Sequence, residues 1–136
     1  MRITQEADYA LRIICLLAEE KKVLDATTIA DDAHITPRFA LKILRKLVLG
    51  GMVRSYKGAA GGYELAREPE AVSMKDVIEL IDGELAISKC LLDEHVCSKQ
   101  GANKSACAVH HVFEAINRDV SRTLGGITIA SVIDKK

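Results

Sequence analysis

The sequence predicts a mainly α-helical fold with one small β-hairpin: a winged helix-turn-helix followed by a long carboxy-terminal dimerisation helix. Three observations carry that expectation. Two short helical segments, 26–33 and 37–49, are joined by a tight turn. The second bears a basic stripe and runs directly into a Gly-rich hairpin. A long helical segment with an apolar side, 105–124, lies near the end of the chain. All 136 residues are read as one domain, with the winged part at 1–67, a linking helix and cysteine loop at 68–104, and the dimerisation helix and tail at 105–136. No repeat or interdomain linker interrupts it.

The elements follow in order. Residues 4–20 form an amphipathic helix, because Ala7, Leu11, Ile14, Cys15 and Ala18 recur at helical spacing while Glu6, Arg12 and Glu19 fall off that stripe. Cys15 sits in the stripe and reads as a small packed hydrophobe rather than a reactive thiol. Asp25 or Thr27 caps the short helix at 26–33. Thr36 then stands as an N-cap with Pro37 at the first helical position, where its missing N–H costs nothing. Ala40, Ile43, Leu44 and Leu47 give this third helix its apolar face, and Arg38, Lys42 and Arg45 follow at i, i+4 and i+7 on another. Gly50-Gly51 ends it.

Residues 52–56 and 63–66 flank a glycine-rich tip and read as a hairpin, with Arg54 and Lys57 near its end. The tip lacks G-x-G-x-x-G spacing and opens no helix, which argues against nucleotide binding. After Pro69, Ser73 and Asp76 form a capping box for a helix carrying Val77, Ile78, Leu80 and Ile81, stopped at Asp82-Gly83. The cysteine-bearing stretch follows as a loop. The long helix places Ala108, Val112, Ala115 and Ile116 on one side, Gly125-Gly126 breaks it, and ITIASVI is a final apolar segment.

Composition narrows the function. Hydrophobic residues make up 49% of the chain, enough for a core, and aromatics only 4%, so aliphatic side chains do the packing. The amino terminus is charged and helix-periodic, unlike a signal peptide, and no apolar run approaches the ~20 residues of a membrane span. The expected location is the cytoplasm, with no membrane partner, where clustered thiols mean metal or redox chemistry more often than disulfides. The net charge is zero, yet residues 36–67 carry seven basic side chains against Glu64 alone, and 68–100 hold eight acids against three lysines. That segregation makes one face for a polyanion. In a winged helix the second helix of the motif enters the major groove of double-stranded DNA and the wing follows the backbone. The candidate DNA contacts are Thr36, Arg38, Phe39, Lys42 and Arg45 on the helix, and Arg54, Tyr56, Lys57 and Gly58 on the wing. No cofactor fingerprint or acid–base constellation points to an enzyme.

The stretch KCLLDEHVCSKQGANKSACAVHH gathers three of the four cysteines and three of the four histidines. Closed zinc sites commonly use a tight C-x2-4-C pair, absent here, whereas iron–sulfur centres accept looser spacing. An iron–sulfur cluster is therefore the first reading, with zinc as runner-up and a bare thiol switch behind it. An electron carrier or cluster scaffold would need neither the basic stripe nor the wing.

MRITQEADYALRI, TPRFALKILRKLVLGGMV and KGAAGGYELA, with the wing motif G-x-x-G-G-Y at Gly58, Gly61, Gly62 and Tyr63, together resemble the Rrf2 family of winged-helix regulators over essentially the whole chain. The resemblance implies a DNA-binding repressor that senses iron–sulfur, redox or nitric oxide status. It implies a homodimer, whose two heads would read an inverted repeat. It makes Cys90, Cys97 and Cys107 the ligands of a 4Fe-4S or 2Fe-2S cluster. For the fourth ligand it offers His110, three residues after the last cysteine, or Asp8 acting across the dimer from near the amino terminus, or His34. Two features depart from the family pattern. The C-x6-C-x9-C spacing is longer than usual, and Leu41 stands where biogenesis regulators carry an acidic residue that discriminates between operators.

Overall fold

The structure, a computed structural model, describes residues 2–92 and 107–135. Its elements run α1 (Gln5–Glu20), α2 (Ala26–Ala33), α3 (Pro37–Leu49), β1 (Val53–Tyr56), β2 (Gly62–Leu65), a 3-10 turn at Pro69–Ala71, α4 (Met74–Asp82), a second 3-10 turn at Lys89–Leu91, α5 (Ala108–Gly126) and α6 (Ile129–Ile133). Mostly helical with a two-stranded antiparallel hairpin, it has the predicted class.

Local chemistry starts each helix. Thr4 caps α1 by accepting from the Ala7 N–H at 3.1 Å, and Asp25, not Thr27, caps α2 by accepting from Thr28 at 2.8 Å. Thr36 caps α3 ahead of Pro37. Ser73 and Asp76 close the capping box of α4 in both directions, at 2.9 and 3.0 Å. At the end of α3, the Gly51 N–H donates to Val48 O and the Met52 N–H to Leu47 O, both at 3.0 Å. This reverse turn needs a left-handed residue, and Gly51, at φ 77°, supplies it.

α1 is the axis of the core. Ala7, Ala10, Ile13, Ile14, Leu17 and Ala18 are buried along it, and the helix packs against α2, α3, α4 and α6. Ile29, Ile43, Leu44, Leu47, Val72, Val77 and Ile129 complete the interior, each worth about 1.5–3 kcal/mol of transfer free energy when fully buried. Leu11 and Cys15 are only half-buried, at the rim of the core rather than inside it. The reason is that α1 buries its 7-10-14-17 row, which turns the 11-15 row toward a groove it shares with His34 and Met74.

One boundary differs from expectation. Gly125 and Gly126 are the last residues of α5 rather than a break before its end. Neither has positive φ, and termination comes from extended Ile127, which leads into pairing with the entry to α4. There Met74 N–H donates to Ile127 O and Ile129 N–H to Val72 O, at 2.9 and 2.8 Å, seating α6 beneath α1. Residue 105, the expected start of the long helix, lies outside the described residues; the described helix begins at Ala108, with Cys107 as its cap.

Candidate nucleic-acid interface and thiol–imidazole site

α3 presents one face to the core through Ala40, Ile43, Leu44 and Leu47 and leaves the opposite face exposed. Arg38, Leu41, Lys42, Arg45 and Leu49 stand on that exposed side, and Phe39, 43% exposed, flanks it against Tyr9 with ring centroids 6.1 Å apart. Three of these side chains are apolar, so the surface offers methyl contacts as well as guanidinium forks. Thr36 is exposed beside them, its hydroxyl oxygen accepting from the Phe39 N–H at 3.4 Å.

The wing pairs Val53 with Leu65, Arg54 with Glu64, Ser55 with Tyr63 and Tyr56 with Gly62. A third segment, invisible in the sequence, anchors it: Leu24 exchanges backbone hydrogen bonds with Tyr63 at 2.9 and 2.7 Å. The approach is so close that a Cβ on Gly62 would collide with the Leu24 carbonyl. Gly58 turns the tip with φ 94°. Arg54, Tyr56, Lys57 and Gly58 are all exposed. The Tyr56 hydroxyl donates to Glu64 at 2.6 Å, and that bond to a carboxylate raises its pKa above the ordinary 10.0.

Lys42 differs from its neighbours. Its Nζ lies 2.6 Å from Glu6 Oε1, and Lys46 Nζ lies 2.7 Å from Glu6 Oε2. Those contacts, the hydrogen bond from Lys42 first, hold the Glu6 carboxyl below its ordinary pKa of 4.5. Sequence reading missed Glu6, because nothing local in residues 4–8 announces a partner 36 positions away.

At the other end of the molecule, Asn117 on α5 latches the segment after α4. Its Oδ1 accepts from the Ile87 N–H at 2.9 Å and its Nδ2 donates to Leu85 O at 3.1 Å. This brings the 3-10 turn at Lys89–Leu91 onto the start of α5. Cys90 Sγ then lies 3.2 Å from His110 Nδ1 and 3.3 Å from Ser88 Oγ. The Cys107 sulfur accepts from the His110 N–H at 3.4 Å. His110 is the one buried residue of α5, and its Nε2 faces Glu114 Oε2 at 3.3 Å. A carboxylate accepting the Nε2 proton leaves the Nδ1 lone pair directed at the Cys90 sulfur, the usual way an outer partner orients a metal-binding imidazole.

Cys90, Cys107 and His110 are thus brought together. Cys97 lies outside the described residues. Asp8 pairs with Arg12 at 2.9 Å and lines a groove on α1 with Cys15 and with His34, which caps α2 in the left-handed conformation; neither Cys90, Cys107 nor His110 lines that groove. Among the described residues, no group of three or more His, Cys, Asp or Glu is arranged to hold a metal ion, and no helix is long and apolar enough to cross a membrane.

A short helix-turn-helix with an exposed cationic second helix and a cationic wing defines a transcriptional regulator. The chain belongs to the Rrf2 family, described as iron-dependent transcriptional regulators, whose profile matches residues 3–135. A helix-turn-helix transcriptional regulator of Aquifex aeolicus is 34% identical over 93% of this chain and 87% of its own length. An rrf2-like regulator of Rhodobacter capsulatus is 32% identical over 84% and 80%. Among solved structures, CymR, the global cysteine regulator of B. subtilis, superposes with a TM-score of 0.81 at 21% identity, covering 100% of this chain and 98% of that one. IscR of T. potens superposes with a TM-score of 0.77 at 21% identity, covering 99% and 88%. Members of the family are transcriptional regulators, not enzymes.

Proposed function

We propose that this regulator controls transcription through a cluster-binding site made by Cys90, Cys97, Cys107 and His110, with an iron–sulfur cluster as the bound group. The observation that carries the reading is the meeting of Cys90 and Cys107 at one residue, His110, whose imidazole Nδ1 lies 3.2 Å from the Cys90 sulfur and whose backbone N–H donates to the Cys107 sulfur at 3.4 Å. Soft thiolates and an imidazole are donors that iron–sulfur centres accept. When bound, the cluster supplies a centre that responds to oxidants and nitric oxide. The chain's own part is to bring donors together: Asn117 sets the Cys90 turn, Glu114 orients His110, and Cys107 starts α5. His110 is favoured over Asp8 and His34 as the fourth ligand because its imidazole already faces Cys90 and its backbone already contacts Cys107. The site must favour one DNA-binding state of the protein over another, since equal affinity for both would regulate nothing.

DNA binding rests on the exposed face of α3 and the wing, with Arg38 and Arg45 reading base edges, Leu41 meeting thymine methyl groups, and Arg54 and Lys57 contacting phosphate. The protein is read as a homodimer on an inverted repeat. Val109, Val112 and Ile116 are 59%, 56% and 45% exposed along one side of α5, a stripe that a second copy would cover.

The test is chemical. Anaerobically prepared wild-type protein should contain iron and acid-labile sulfide, and Cys90→Ala, Cys97→Ala and Cys107→Ala should each lose most of both. His110→Ala should retain a cluster that decays faster in air, Asp8→Ala should match wild type, and stoichiometric zinc without sulfide would sink the reading. A second reading, a thiol switch, draws on the same contact, since an imidazole beside Cys90 can take its proton. It requires oxidation to alter DNA binding in metal-free protein.

A further inference from the structure

Lys42 and Lys46 lie one turn apart on α3, Lys42 among the exposed cations and Lys46 on the flank toward α1. Both ammonium groups converge on the two oxygens of one carboxylate, Glu6, at 2.6 and 2.7 Å. The lysine side chains are 55% and 40% exposed, and the glutamate only 25%. Glu6 is also well placed. It lies in the first turn of α1, whose cap Thr4 donates both its N–H and its hydroxyl to the Asp82 carboxylate at the end of α4. A carboxylate bridging two lysines reproduces what a DNA phosphate would offer them, one anion with several acceptor oxygens. It is charged at neutral pH, as any glutamate near its ordinary pKa is, and the two lysines favour that charged form further.

A cation already neutralised within the protein releases less of the counterion atmosphere of DNA, so it adds little to sequence-independent affinity. We propose that Glu6 is an internal stand-in for phosphate that withholds Lys42 and Lys46 from the duplex, making it a specificity-determining residue. By lowering non-specific attraction it increases the relative weight of the base contacts from Arg38, Leu41 and Arg45. The inference rests on α3 being the DNA-facing helix.

Glu6→Gln keeps the shape and removes the charge. Binding to a random-sequence duplex of about 30 base pairs is measured by fluorescence anisotropy across a potassium chloride series. The slope of log K against log salt should steepen by about 0.9 for each lysine released, equivalent to about eight-fold tighter binding at 0.1 M relative to 1 M salt. Adding Lys42→Gln and Lys46→Gln to Glu6→Gln should abolish that gain. A plain strut between α1 and α3 makes the opposite forecast: weaker binding with an unchanged or shallower slope, which would overturn the proposal. Lys46→Gln alone supplies a check that leaves Glu6 intact. Its slope should fall by well under 0.9, and a full loss of about 0.9 would show Lys46 already on phosphate and overturn the idea. Wild-type protein that binds DNA while Glu6→Gln is indistinguishable from it sinks this proposal alone. Wild-type protein that binds no DNA sinks the α3 reading with it.

Discussion

Asn117→Ala removes both hydrogen bonds that hold residues 85–87 on α5, the 2.9 Å bond from the Ile87 N–H and the 3.1 Å bond to Leu85 O. A neutral hydrogen bond contributes about 0.5–1.5 kcal/mol net, and both groups are only partly buried, so water recovers some of the loss. The segment should therefore loosen by about 1–2 kcal/mol, which raises its open population between about five- and thirty-fold. Because Cys90 follows this latch directly, the same opening separates its sulfur from His110. Hydrogen–deuterium exchange of a peptide covering 85–91 in cluster-free protein reads the change, and peptides from α3 should stay as protected as in wild type. Arg122→Ala is the control, since among the described residues that side chain makes an exposed pair with Asp119, away from residues 85–91. Unchanged exchange at 85–91 in Asn117→Ala would refute the idea that this amide positions the cysteine turn. Uniformly faster exchange everywhere would show a global role instead.

Other expectations follow from single contacts. Gly62→Ala should destabilise the protein by about 1–3 kcal/mol, because its Cβ meets the Leu24 carbonyl and the backbone is strained for any other residue, and thermal unfolding would show it. Arg54→Ala and Lys57→Ala should each flatten the salt dependence of DNA binding by about 0.9 without altering the preferred sequence. Glu6 gives a pH signature. Its folded-state pKa is depressed, so its stabilising effect is present above its ordinary value of 4.5 and is lost as pH falls through the lower folded-state value. The urea midpoint of wild type should therefore drop more between about pH 5 and pH 3 than that of Glu6→Gln.

What sequence reveals and what it hides divide along chain separation. Thr36-Pro37, the Ser73–Asp76 box and Gly50-Gly51 act within four residues, so the caps and turns of α3 and α4 could be read directly and appear as expected. The wing followed from Gly58 and Gly62, whose special backbone geometry is written in the residue type. By contrast, the Glu6 clamp, the Leu24–Tyr63 anchor and the Asn117 latch join residues 30 or more positions apart. No periodicity encodes such contacts. Cys15 shows a subtler failure: helical spacing placed it on the apolar side, but the core selected the neighbouring row of α1 and left it at a rim. For the thiol site, the family resemblance left Asp8 and His110 level, with His34 behind them. Burial of the His110 imidazole against Cys90 is what favours it in our proposal, and sequence could not show this because a side chain's environment is a property of packing.

The central claim is that the thiol–imidazole site and the DNA-binding face are energetically linked. The measurement that tests it most directly is the affinity of one preparation for DNA enriched by in vitro selection, before and after anaerobic loading with iron and sulfide. A linked site predicts a shift of about 5- to 150-fold, the range of ordinary coupling free energies, and its loss in Cys90→Ala. Equal affinity of the loaded and unloaded forms would contradict the account.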